Sequence, residues 1–271
     1  IDDRDGDGKR ECIVNYPLDR TVVISLPEHR TLYEIPSPLV HESTHSGEKI
    51  LEPVGTCCGD LDSDKITDFV ICYPLLGSCD VHSGADGHRL RTLAFGAPAT
   101  PLASSQSSGT AVHYSPSLLG SAHAGLLVGS PNEGRGVVRI LDLQSGAEGV
   151  EWSCPTGYHE FGMSVTTLID LDDDGKPEVA MGAVKEAGSG AVGETGAVFI
   201  GFSQNHNAPV VLSTGEPMKR FGSALCQLGA LGPEGRESLL IGDPGLRGSL
   251  GGVGVPVYGY NGSIWLFDYG K

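Results

Sequence analysis

Apolar residues along this chain come in short runs, separated by glycine, proline and polar turns, and no sustained helical period appears. Thr21-Val22-Val23-Ile24-Ser25-Leu26 reads as one strand, residues 79–83 as another with a turn at 84–87, and Ile264-Trp265-Leu266-Phe267 as the last. Val179 to Val184 reads as a short buried strand. Residues 31–52 are expected to be irregular, and residues 96–109, made largely of Gly, Ala, Pro, Ser and Thr, to form a long flexible connection. The pattern predicts an all-β chain of short strands.

Three of the polar stretches share a spacing. Asp170, Asp172, Asp174 and Glu178 stand at positions 1, 3, 5 and 9 of a loop, with Gly175 after the third acid. Asp3, Asp5, Asp7 and Glu11 repeat it with Gly8, and Asp60, Asp62, Asp64 and Asp68 repeat it with Lys65 in place of glycine. Four carboxylates so close repel one another unless a cation lies between them. Calcium suits such a set because it takes six to eight oxygens in a loose geometry. The backbone carbonyls of Lys9, Ile66 and Lys176, at position 7, complete the expected ligand sets. About three structural Ca²⁺ ions are expected. The rival reading, an EF-hand, needs a bidentate Glu at position 12 and a following helix. Position 12 is Val14, Ile71 or Met181, inside an apolar run.

The loops belong to a longer repeat. Four residues after position 9 come Asn15-Tyr16-Pro17, Cys72-Tyr73-Pro74 and Gly182-Ala183-Val184. The same frame finds Gly129-Ser130-Pro131 and Gly242-Asp243-Pro244, where the acids are absent. Phe161-Gly162, Phe221-Gly222 and Ser108-Gly109 precede three of the loops, each with its glycine eight residues before the loop start. Loop starts fall at residues 3, 60, 117, 170 and 230. A period of this size, built of short strands and turns, suggests propeller blades. Residues 110–143, 150–202 and 210–268 are read as the third, fourth and fifth. Ser117 to Gly125 and Ala230 to Ser238 offer no carboxylate set and are expected to hold no ion.

Phe161-Gly162 with Gly182-Ala183-Val184 resembles the FG-GAP repeat of integrin alpha-subunit propellers and many secreted bacterial proteins, with Val184 in place of the usual proline. The segments 81–87 and 138–146 are also similar to such repeats. The resemblance covers nearly the whole chain. It implies an all-β fold, a β-propeller of four-stranded blades with calcium in some of them, spanning residues 1–271 as one domain. Five repeats are visible. The first lacks its opening strand and the last its closing one, and members of the family often have seven blades, so the chain is expected to be incomplete at both ends. The resemblance also implies an extracellular, cell-surface or periplasmic setting, and no particular ligand.

The net charge of −16 argues against nucleic acid or an anionic membrane as partner. Twelve of the 34 acids stand at the ligand positions of the three loops, and three bound Ca²⁺ would bring the charge to −10, so much of the imbalance belongs to the metal sites. No apolar run reaches the roughly 18 residues of a membrane span. Seven cysteines contain no C-x-x-C pair, which disfavours a zinc ribbon. Cys12, Cys72 and Cys226 are read as core thiols on apolar strands, with a Cys72–Cys79 bridge, or one from Cys57 or Cys58, open in an oxidising compartment.

His41-Glu42-Ser43-Thr44-His45 spells H-E-x-x-H, but Pro36, Pro38 and Ser46-Gly47 deny it the helix that a zinc protease needs. His113 and His123 read as strand or turn residues. The glycine-rich stretch 188–196 lacks the Lys-Ser/Thr of a phosphate loop. Asn261-Gly262-Ser263 is a glycosylation sequon. No nucleophile elbow or acid/base pair is legible, so no catalytic residue is expected. The sequence favours a calcium-stabilised binding or adhesion module for a protein or glycan partner. A module of a secreted carbohydrate-active enzyme and a lectin stacking sugars on Trp152, Tyr158, Tyr258 or Trp265 are the alternatives.

Overall fold

The computed structural model describes residues 3, 8–16, 19–26, 29–38, 53–74, 76–95, 109–120, 123–186, 195–202, 209–215, 219–231, 235–244 and 262–269. Among them, all regular structure is β, in five antiparallel sheets taken in chain order. The first is β1 (Cys12–Tyr16), β2 (Arg20–Ser25) and β3 (Arg30–Pro36). The second is β4 (Val54–Gly59), β5 (Asp68–Tyr73), β6 (Ser78–His82) and β7 (Arg89–Ala94). The third is β8 (Ala111–Ser115), β9 (Gly125–Ser130), β10 (Val137–Asp142) and β11 (Glu148–Ser153). The fourth orders β12 (Tyr158–His159), β14 (Val179–Lys185), β15 (Thr195–Gly201) and β16 (Val210–Leu212), with β13 (Val165–Thr167) also paired to β14. The fifth is β17 (Ala224–Gly229), β18 (Glu237–Asp243) and β19 (Ser263–Tyr269).

The chain forms two compact units, residues 1–126 with 140–149, and residues 127–139 with 150–271. The first holds a core of Val23, Ile35, Phe69, Ile71 and Tyr73. The second holds one that includes Ala180, Val198, Ile200, Phe221, Leu239 and Ile241. The apolar runs explain these cores. β5 and β9 are buried along their whole length, and β14 in all but its last residue, as strands covered on both faces must be. Position 12 of two loops is therefore a core residue, Ile71 or Met181, and strand replaces the helix of an EF-hand.

The repeat frame has a physical basis in the second unit. Phe161 and Phe221 of the Phe-Gly pairs are buried, and the glycine after each has φ of 85° or 92°. Gly162 donates its N–H to the carbonyl of Gly182 at 2.8 Å, and Gly222 to that of Gly242 at 3.0 Å. A Cβ on Gly182 would stand 2.2 Å from the Gly222 carbonyl oxygen, so the backbones meet at a distance only glycine permits.

Several expectations need correction. Residues 30–36 are a strand rather than irregular chain, because Ile35 is buried and Tyr33 packs on Gly87. Residues 148–153 close the third sheet and 210–212 the fourth, so the outermost strand of each sheet extends into the repeat that follows it. These outer strands are mostly exposed and carry little apolar periodicity. The first and fifth sheets have three strands among the described residues. Cys226 is exposed and Cys12 half-buried, so neither is a core thiol; Cys72 and Cys79 face each other across β5 and β6 and are bonded. Of the remaining thiols, Cys57 is exposed and Cys58 buried, and burial pushes the Cys58 thiol well up. The H-E-x-x-H segment, the connection 96–108, most of the glycine-rich stretch 188–196, Tyr258 and Asn261 lie outside the described residues.

Candidate metal centre

The acidic loops occupy equivalent places: residues 60–68 join β4 to β5 and residues 170–178 join β13 to β14. In each, the carboxylate at position 1 gathers the amides of the turn. Asp60 Oδ1 accepts from Ser63 N at 2.7 Å and Asp64 N at 3.2 Å, and Oδ2 accepts from Lys65 N at 2.9 Å. Asp170 Oδ1 accepts from Asp174 N at 3.2 Å and Oδ2 from Gly175 N at 2.9 Å. Position 3 does the same: Asp62 Oδ1 and Asp172 Oδ1 accept the Asp64 and Asp174 amides at 3.1 and 3.2 Å. In the first loop Asp3 Oδ2 takes the Gly8 amide at 2.8 Å, the same position-1 to position-6 contact.

To wrap this way the chain turns left-handed twice. Position 4 has φ of 70° at Ser63 and 62° at Asp173, and position 6 has 70° at Lys65 and 84° at Gly175. Lys65 thus holds, at some steric cost, the conformation that glycine adopts freely.

Position 9 closes each loop from inside. Asp68 is fully buried at the start of β5, with Oδ2 accepting from Leu61 N at 2.7 Å and Oδ1 from Gly84 N at 2.9 Å. Glu178, also buried, accepts from Leu171 N at 2.5 Å. As a result, Asp60, Asp62 and Asp68 bring carboxylate oxygens within 4.8 Å of one another, and so do Asp170, Asp172 and Glu178. Asp64 and Asp174, at position 5, are outside these triads; each accepts the amide two residues on, from Ile66 or Lys176, at 2.8 Å. In the first loop Asp5 and Asp7 lie outside the described residues; Asp3 is exposed and Glu11 buried.

The electrostatics favour a cation. Burial pushes the Glu178 carboxyl up to about 7, the Leu171 amide opposes this, and Asp172 and Asp170 add to the rise. Asp68 is likewise raised by burial, against the amides of Gly84 and Leu61, with Asp62 and Asp64 adding. A buried carboxylate beside two others is costly in its charged form, and a divalent cation reverses that penalty. The donor set is all oxygen, as Ca²⁺ or Mg²⁺ prefers, and the carbonyls of Ile66 and Lys176 lie in the same turns.

Elsewhere the sequence's candidates divide. Trp152 is buried and Tyr158 half-buried, whereas Trp265 is 39% exposed on β19. Trp265 donates its indole N–H to Asp243 at 3.3 Å and meets Phe221 edge-on. It lines a cavity of about 510 Å³ with Phe221, Phe267, Val211 and Ser213. No sequence pattern marks the cavity, because its walls come from strands far apart in the chain. His113 sits half-buried on β8, with its pKa lowered by burial, and His123 is an exposed turn residue.

No protein-family model matches the chain, and no curated protein matches it in sequence. Solved structures do resemble it. The Dos1 propeller superimposes with a TM-score of 0.50 at 10% identity, over 86% of this chain and 49% of the other. The Kuenenia stuttgartiensis hydrazine synthase superimposes with a TM-score of 0.52 at 10% identity, over 92% and 57%. The fold is a β-propeller. The chain spans about half the length of these structures. Its sheets are blades, and its acidic loops 60–68 and 170–178 lead into the buried strands β5 and β14. Among the described residues no helix is long and apolar enough to cross a membrane.

Proposed function

We propose that this chain is a calcium-stabilised propeller of the FG-GAP type that serves outside the cytoplasm as a binding or adhesion module. The observation that carries the reading is the matching pair of loops. Two segments with different residues at positions 6 and 9 converge on one amide scaffold and one triad of carboxylates. Calcium does no chemistry here. It neutralises the triad, so that the turn can hold the start of the buried strand that follows it. Propellers present the loops between strands as recognition surfaces, and the reading assigns partner binding to such loops. The bonded pair Cys72–Cys79 supports an oxidising compartment. The test is capture of a partner protein from the surroundings of the producing cell, in calcium and in chelator. Capture that depends on calcium supports the reading; capture equal in both, with calcium bound, removes the metal from recognition.

A second reading, that the partner is a glycan, is favoured by Trp265. An indole held by Asp243 and Phe221 at the wall of an open cavity offers a fixed face to a sugar ring. Binding on a glycan array that is lost in Trp265→Ala favours this reading over a protein partner.

A further inference from the structure

The calcium loop between β4 and β5 does not end at its own residues. Asp68, the acid that closes it, uses Oδ1 to hold the N–H of Gly84 at 2.9 Å, sixteen residues away in the turn between β6 and β7. The carbonyl of the same Gly84 accepts the hydroxyl of Tyr33, on β3 of the first sheet, at 2.9 Å. One residue is therefore gripped on its amide by a metal-site acid and on its carbonyl by a neighbouring sheet.

Little slack exists along this line. A Cβ on Gly84 would stand 2.1 Å from the Thr67 carbonyl oxygen, so the turn lies directly on the loop. A Cβ on Gly87 would stand 2.7 Å from the Tyr33 ring, so the ring lies directly on the turn. The turn itself is closed by Gly87 N to Ser83 O and Ser83 N to His88 O, both at 2.9 Å, and by His82 Nδ1 against Gly87 O at 2.9 Å. Tyr33 also packs against the core cluster of Val23, Ile35, Phe69, Ile71 and Tyr73.

We infer that calcium in loop 60–68 tightens the first sheet against the second through the path Asp68–Gly84–Tyr33, with Tyr33 as a positioning residue that touches no ion. The inference rests on the calcium reading of the loop. A cation that draws in the Asp68 carboxylate fixes the acceptor of Gly84 N, and the turn, so fixed, holds its carbonyl for Tyr33. Coupling of this kind is reciprocal: losing the Tyr33 hydroxyl must weaken calcium at this loop by the same factor that calcium strengthens the contact.

The experiment is residue-resolved hydrogen exchange on the full chain during a calcium titration from a chelated start. In the wild type, calcium slows exchange in segments 60–68, 83–87 and 30–36 with one midpoint. In Tyr33→Phe the midpoint for 60–68 rises about threefold, the midpoint for 170–178 stays in place, and calcium no longer slows segment 30–36. The loop at 170–178 is the internal reference, since general destabilisation would shift both midpoints. Calcium protection of 60–68 with no change in 30–36 overturns the coupling and leaves the calcium reading standing. An unmoved 60–68 midpoint in Tyr33→Phe does the same. Absence of any calcium effect at 60–68 overturns both.

Discussion

Loops 117–125 and 170–178 occupy the same place in successive blades, yet different side chains are fully buried in them. Loop 117–125 buries Leu118, which is 2% exposed and lies against Gly125. Its turn is closed by Gly120 N to Ser117 O at 2.9 Å and His123 N to Gly120 O at 3.1 Å. The loop carries its own apolar plug. In loop 170–178 the matching apolar residue, Leu171, is only half-buried against the core, and the fully buried side chain is the carboxyl of Glu178, facing Asp170 and Asp172. A turn can thus be anchored by apolar burial that is always present, or by a charge cluster whose anchoring depends on an ion. On the calcium reading proposed above, the second arrangement would make part of the fold responsive to the ion.

Chelation gives the largest test of this difference. Each occupied site adds about 2.7 kcal/mol at a hundredfold excess of calcium over Kd. Loss of the two converged sites therefore costs about 5 kcal/mol, or roughly 10–20 °C in Tm for a domain of this size. Calorimetry with calcium and with chelator at neutral pH measures it, and equal curves would remove the distinction between the loops. Leu118→Ala comes next. It should cost about 2–5 kcal/mol, by the same amount with and without calcium; a loss that calcium repairs would show that loop 117–125 is not self-anchored. Asp172→Ala should abolish the calcium contribution of its loop, about 2.7 kcal/mol. Asp173→Ala should cost less, about 1 kcal/mol, because exposed Asp173 lies outside the triad and the change leaves only an alanine in a left-handed turn. Similar losses in both variants would mean that the triad is misassigned. The smallest effect is expected from Lys65→Gly, which relieves a left-handed lysine worth about 1–2 kcal/mol and adds about 0.5–1 kcal/mol of unfolded-state freedom. A net gain of about 0.5 kcal/mol in calcium would bring loop 60–68 closer to loop 170–178 in stability.

Much of this was legible in the sequence because the repeat is written in residues with strict backbone or charge requirements. The acid spacing located both triads, and the apolar residue at position 12 separated them from EF-hands. The Phe-Gly pairs marked where backbones meet, since only glycine fits at Gly162 and Gly182. The outer strands β3, β11 and β16 were misplaced for a physical reason. They lie at sheet edges, bury few side chains, and need no alternating pattern. The absence of Asp64 and Asp174 from the triads was not legible, because spacing alone does not show which carboxylates turn back to the amides of their own loop. Nor was the link from Asp68 to Gly84 and Tyr33, which joins residues far apart in the chain.

The amide of Gly175 has a bearing on how the protein ages. An Asp-Gly step degrades when the glycine nitrogen attacks the preceding side-chain carboxyl, closing a succinimide that reopens largely as isoaspartate. In loop 170–178 that nitrogen is engaged with Asp170 at 2.9 Å, and the Asp174 carboxyl is turned to the Lys176 amide at 2.8 Å. Nucleophile and electrophile are thus held by other partners as long as the turn is wrapped. Storage in chelator should let isoaspartate accumulate at Asp174-Gly175, whereas Asp64-Lys65, whose bulkier successor slows the cyclisation, should stay intact under the same conditions.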